Sequence, residues 1–167
     1  ATGFFIFTHR QKLLRIRRYS EWLESIIERM PIGVMVIQGD NQMPSIINAA
    51  AAKLLVRKSR IGGKAKTFAE MFQIVRNNGR PYPNDELPIS ISRATGRPAM
   101  KDDVYIRQAD GSRIAVRMTC SPIKHTELGT LGIITIMEDM TEAYLEESQK
   151  TDFISVASHE LRTPLTG

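Results

Sequence analysis

The sequence predicts an α+β domain with an antiparallel sheet and a helix attached at each end. Three observations predict it. The 167 residues suit one globular core plus flanking helix. Strand-like and helical runs follow in the order two strands, several short helices, three strands. Charged, helix-forming stretches then extend beyond that block on both sides. The composition, 42% hydrophobic and 25% charged, is that of an ordinary folded protein.

The chain opens with Ala-Thr-Gly-Phe-Phe-Ile-Phe and turns abruptly basic at His9, Arg10, Lys12, Arg15, Arg17 and Arg18. Residues 1–7 are too few to span a bilayer, which takes about 20 apolar residues. Followed by this basic cluster, they are expected to be the end of a transmembrane helix, with the charges marking the cytoplasmic side. Residues 8–30 are expected to form a signalling helix. Leu13, Ile16, Leu23, Ile27 and Met30 alternate steps of three and four if Ser20 fills the missing seam position, as in a short coiled coil. Trp22 and Ile26 broaden the face. Pro31 ends the helix, because proline lacks the amide donor.

Beyond Pro31 the period changes. Val34 to Gln38 reads as a buried strand, Gly39-Asp40-Asn41 as a turn and Ser45 to Ile47 as a second short strand. Asn48 is placed to cap a helix over Ala49–Leu55. Thr67–Val75 is expected to be a further short helix. Gly79 to Asn84 is a breaker-rich loop, and Leu87–Ala94 a helix stopped by Gly96 and Pro98. Three strands close the block: Asp103–Arg107, Arg113–Pro122 and Leu131–Met137. Ala109-Asp110-Gly111-Ser112 is a hairpin signal between the first two, and His125–Thr130 a longer polar loop between the last two.

These pieces carry a resemblance. Met30-Pro31-Ile32-Gly33-Val34, Ile47-Asn48-Ala49-Ala50, Ala94-Thr95-Gly96-Arg97-Pro98, Ala109-Asp110-Gly111-Ser112 and the closing Glu138-Asp139-Met140-Thr141-Glu142 are similar to a PAS domain. The resemblance covers about Ser25 to Glu142 and implies a PAS fold over residues 31–141. That fold is a five-stranded antiparallel sheet with short helices on one face, here flanked by coiled-coil-type helices. It further implies that Asp139 and Thr141, matching the Asp-x-Thr signature at the end of such domains, fasten the last strand to the outgoing helix and couple sensor to output.

The last stretch, 142–167, is expected to be a linker helix running into the start of a phosphoacceptor helix. Phe153, Val156, Ala157, Leu161 and Leu165 fall at helical spacing on one face. The run from Phe153 to Leu165, with His-Glu-Leu-Arg-Thr-Pro-Leu, resembles the H-box of histidine kinases of the dimerisation and phosphoacceptor type. The resemblance implies that His159 is the phosphoacceptor. A neutral imidazole is nucleophilic at cellular pH. Glu160 is next to it and is expected to accept or orient its proton. Thr163 lies one helical turn on, and the resemblance, through the spacing of Glu160 and Thr163, implies that it positions water for dephosphorylating a partner regulator. Pro164 is expected to kink the helix and serve in coupling.

The function expected is that of the sensor and phosphoacceptor portion of a membrane-bound two-component histidine kinase. The parent would use ATP, bound by a catalytic domain this chain does not contain. No Walker-type or Gly-rich nucleotide loop is present, so this chain alone is expected to be inactive. Expected partners are a second copy through the flanking helices, that catalytic domain, a response regulator and the membrane, on the cytoplasmic side of the bacterial inner membrane. The alternative is a non-catalytic PAS ligand-binding or dimerisation module with a vestigial H-box.

Nucleic acid is not expected, although the net charge is +5 and the pI about 9.6. Three of the five net charges lie before Pro31, and no basic stripe with interleaved aromatics follows. The single Cys120 supports neither a disulfide framework nor a zinc site. Its position in a strand argues against flavin adduct chemistry, and the absence of His from Leu87–Ala94 argues against an axial haem ligand. The PAS ligand is unknown, and Ile37, Ile47, Leu54, Phe72 and Leu87 are expected to be plain core.

Overall fold

A computed structural model describes residues 2–39, 43–55, 67–125, 127 and 129–162. The chain starts with helix α1 (Thr2–Arg29), continuous through both segments expected before Pro31. Strands β1 (Gly33–Gln38) and β2 (Ile46–Ile47) follow, then helices α2 (Ala49–Leu54) and α3 (Phe68–Met71) and strand β3 (Ile74–Val75). A single 3-10 turn (Asn84–Glu86) leads into helix α4 (Pro88–Thr95). Strands β4 (Ala99–Arg107), β5 (Arg113–His125) and β6 (Gly129–Asp139) then form a meander, and helix α5 (Thr141–Arg162) leaves it.

All strand pairs are antiparallel, and the order across the sheet is β2-β1-β6-β5-β4-β3. The first long strand therefore lies beside the last, with Gly33 opposite Met137. Both edges are strands of two residues, too short to template pairing with another chain.

Side chains alternate across the sheet as the pleat requires. Ile133, Thr135 and Met137 of β6 are buried, while Ile134, Ile136 and Glu138 are half-buried on the other face. Met35 and Ile37 of β1, Val104 and Ile106 of β4, and Val116 and Met118 of β5 complete the core face. Ile74 of β3 joins them, and Phe72 and Leu87 close the core from the helical side. The Phe68 and Phe72 rings pack with centroids 4.7 Å apart, tilted by 53°. Each such large side chain, taken from water to full burial, contributes roughly 1.5–3 kcal/mol. Of the expected core residues, Ile37, Phe72 and Leu87 are fully buried, and Ile47 and Leu54 pack against the core from its margin.

Among the described residues the sheet has six strands where five were expected. The additional one comes from Thr67–Val75, expected as one helix. Thr67 caps α3 by accepting from the Glu70 amide, but the helix stops after one turn. Gln73 then adopts φ 53°, which reverses the chain, and β-branched Ile74 and Val75 pair with Ile106 and Tyr105. Strand β4 starts at Ala99 rather than Asp103, because its first residues pair with Cys120 and Thr119 before the ladder shifts between Lys101 and Val104. The expected loop His125–Thr130 is shorter than predicted: the β5–β6 ladder runs on to His125 opposite Gly129, whose φ is 73°. His125 thus ends a strand. Helix α4 ends at Gly96 as expected, in a left-handed cap whose amide donates to Ser92 O.

Gly132 of β6 lies so close to β1 that a Cβ there would sit 2.4 Å from the Ile37 carbonyl oxygen. The obstacle is backbone, and strands β1 and β6 would have to part. Gly132→Ala is expected to lower stability by about 2–3 kcal/mol. A urea unfolding curve with a midpoint within error of wild type would contradict this packing.

Candidate functional site: the junction of the flanking helices

Two sets of side-chain hydrogen bonds tie the flanking helices to the sheet. On the incoming side, Asn48 is fully buried and uses its whole amide. Its Oδ1 accepts from Val34 N at 2.8 Å and from Ala51 N at 2.9 Å. Its Nδ2 donates to Ile27 O and Ile32 O, both at 2.9 Å. One side chain therefore caps α2, bonds a carbonyl of the last turn of α1 that also accepts from Met30 N, and fixes the start of β1. The sequence reading found the cap and missed the other three bonds. They depend on a tertiary approach across 14 to 21 residues, which no local pattern encodes.

On the outgoing side, Asp139 ends β6 and Thr141 begins α5. The Asp139 Oδ1 accepts from Thr141 N at 2.9 Å, satisfying one of the open amides at the helix start and placing a carboxylate at its positive end. Thr141 Oγ1 accepts from Ala115 N at 3.3 Å, and Met140 N donates to Ala115 O at 2.8 Å. Both main-chain groups of Ala115 in β5 are thus used by the strand-to-helix junction. Tyr144, one turn into α5, donates its hydroxyl to Asp102 O at 3.1 Å. Between the two helix roots lies a groove of about 850 Å³, bordered by Met30, Pro31, Lys53, Leu54, Met137 and Asp139.

The remaining residues singled out from the sequence are distributed as follows. His159 and Glu160 fall on the α5 backbone, and their side chains lie outside the described ones. Thr163 and Pro164, with the expected kink, lie outside the described residues. Several apolar side chains of the flanking helices are exposed: Ile16, Trp22 and Leu23 on α1, Leu145, Phe153 and Ile154 on α5. Ile27 of the expected seam is half-buried. No helix among the described residues is long and apolar enough to cross a membrane.

A smaller cavity, about 330 Å³, opens between α3 and α4 over Ile37, with Asn84, Ser90 and Arg93 as its polar lining. Cys120 lies elsewhere, fully buried on β5, with its sulfur 3.2 Å from Thr135 Oγ1.

Two outcomes follow. Asn48→Ala would leave the buried Val34 amide and the carbonyls of Ile27 and Ile32 without this partner, and is expected to cost about 3 kcal/mol in chemical denaturation; a loss below about 1 kcal/mol would contradict the clamp. Burial pushes the Cys120 thiol up to about 12 from an ordinary 9.0. The unfolded chain then binds fewer protons between these values, so stability falls as pH rises through that window. Below it, at pH 8, native Cys120 should react with a thiol reagent far more slowly than in the urea-unfolded chain. Equal rates would place the thiol at the surface.

A family profile described as a PAS domain matches residues 31–142. The chain is 26% identical over 166 residues to the cell-division control histidine kinase PdhS of Brucella ovis, covering 90% of this chain and 15% of that one. It is 34% identical over 65 residues to the alginate biosynthesis sensor protein KinB of Pseudomonas aeruginosa, covering 39% and 11%. The chain thus spans about a seventh or less of these relatives' lengths. Among solved structures, an RNA-binding light-oxygen-voltage receptor aligns with a TM-score of 0.53 at 18% identity, over 84% of this chain and 38% of that one, a likeness of fold alone. With an α+β meander closed by its first strand, helices on one face and a profile match across that whole block, the chain belongs to the PAS domain family.

Proposed function

We propose that this chain is the sensor and phosphoacceptor portion of a membrane-anchored two-component histidine kinase. The observation that carries the reading is one of continuity. A helix rooted in the sheet through Asp139, Met140 and Thr141 leaves the PAS domain and carries His159 to Arg162 on its backbone, and the sequence continues the string as Thr163-Pro164-Leu165. Relatives named as histidine kinases support it.

In this proposal an imidazole nitrogen of His159 attacks the terminal phosphorus of ATP. The bond to the bridging oxygen breaks, ADP leaves, and the imidazole proton passes to Glu160. The phosphoryl group then moves to an aspartate of a response regulator. Thr163 orients the water that later removes it. The catalytic domain that binds ATP belongs to the parent protein. Dimerisation through the exposed apolar faces of α1 and α5 brings a second copy, and the apolar residues 1–7 end a membrane span, with the basic residues that follow on the cytoplasmic side of the bacterial inner membrane. The PAS domain acts on this chemistry by changing how α5 is held, which requires two helix arrangements of different signal affinity.

The test is a labelled-ATP assay on the natural-length protein in membranes. Acid-labile, base-stable label is expected, and it should vanish in His159→Gln. Label that persists in that variant would remove His159 as the acceptor. Absence of label under every stimulus would favour a non-catalytic PAS module with a vestigial H-box. With an active parent, Asp139→Ala should change basal labelling or its response to stimulus severalfold; unchanged behaviour in both would show that coupling bypasses Asp139.

A further inference from the structure

Between Lys101 and Val104 the β4–β5 ladder slips. Lys101 pairs with Met118 and Val104 with Val116, so Asp102 and Asp103 together oppose the single residue Arg117. The two bulged residues serve opposite clients. The Asp103 carboxylate accepts from Tyr82 Oη at 2.8 Å and from Arg76 Nη1 at 3.2 Å. Arg76 also pairs with Glu86 at 2.5 Å and lies over the Tyr82 ring, 4.7 Å from its centroid. Tyr82 itself is buried. These contacts hold the 76–86 segment, which leads directly into α4 and the lining of the 330 Å³ cavity. The neighbouring Asp102 offers its carbonyl to Tyr144 of the outgoing helix.

The residue facing the bulge is incompletely satisfied. Arg117 reaches Glu138 at 3.6 Å, yet its buried Nε has no hydrogen-bond partner among the described residues.

We propose that the Asp102–Asp103 bulge couples the 76–86 segment to the outgoing helix, with Tyr144 as the positioning residue that reads it. A displacement of 76–86 or of the α4 end of the cavity pulls on Asp103 through Arg76 and Tyr82. The bulge moves as a unit, because Asp102 and Asp103 share one peptide, and the Asp102 carbonyl carries the hydroxyl of Tyr144 with it. Helix α5 then leaves the sheet at a changed angle. The signalling consequence rests on α5 being the output helix, as proposed above, whereas the coupling itself is a property of this chain.

The experiment is therefore hydrogen–deuterium exchange on the 167-residue chain, with no phosphorylation readout. Tyr144→Phe should raise exchange of amides 144–150 on the order of fivefold, with β5 and β6 unchanged. Arg76→Gln, which touches nothing on α5, should loosen 76–86 and raise the same α5 amides about twofold or more. The double variant should show no more α5 exchange than Tyr144→Phe alone, since both act through one contact. Asp103→Asn, which keeps an acceptor for Tyr82 and removes the charge, should repeat the Arg76→Gln pattern should that variant fold poorly. Tyr144→Phe without effect on α5 overturns the positioning role. Loosening confined to 76–86, or effects that add in the double variant, overturn the coupling. Neither failure bears on His159, which labelling tests separately.

Discussion

The architecture depends on one side-chain amide. Asn48 offers two donors and two acceptor directions, and all four are used on backbone groups of three different elements. Asn48 is fully buried, and losing its Oδ1 would leave the buried amides of Val34 and Ala51 without that acceptor. The last turn of α1, the start of β1 and the start of α2 are therefore fixed relative to one another by a group with no slack. An aspartate of the same size would lose both donors and set a charge against the Ile27 and Ile32 carbonyls. Everything downstream in the sheet is registered from β1, so the incoming helix and the core share one reference point.

The outgoing helix is tied differently. Its root has one carboxylate, one hydroxyl and one main-chain amide, all at the end of a strand, and Asp139 is exposed. Tyr144 adds a single bond to a bulge. The contrast between a buried four-way clamp and a set of half-exposed single bonds makes α1 the fixed arm and α5 the adjustable one.

Much of this was legible in the sequence, and the limits have physical reasons. The order of strands and helices followed from period and breaker residues, and the helix cap at Asn48 and the junction residues Asp139 and Thr141 were visible as local signatures. Strand β3 was missed because two residues carry no period, and only pairing with Ile106 and Tyr105 makes them a strand. The early start of β4 was missed because a bulge shifts the side-chain alternation in mid-strand. Tyr144 carried no signal at all. Its partner is a main-chain carbonyl 42 residues away, and carbonyls look alike in every sequence. Arg76 and Asp103, 27 residues apart, were similarly hidden, although both signs of charge in one sheet region could have prompted the pairing.

The pairing of Gly33 with Met137 has a further consequence. Opposed residues in antiparallel strands lie only about 5 Å apart. The chain therefore enters and leaves the domain at nearly one point, and the whole sheet hangs from that point as a loop hangs from its neck. Such a domain bears little of a load passed straight from α1 to α5. It acts as a clasp across a joint, and could be removed or exchanged for another without lengthening the path between the helices.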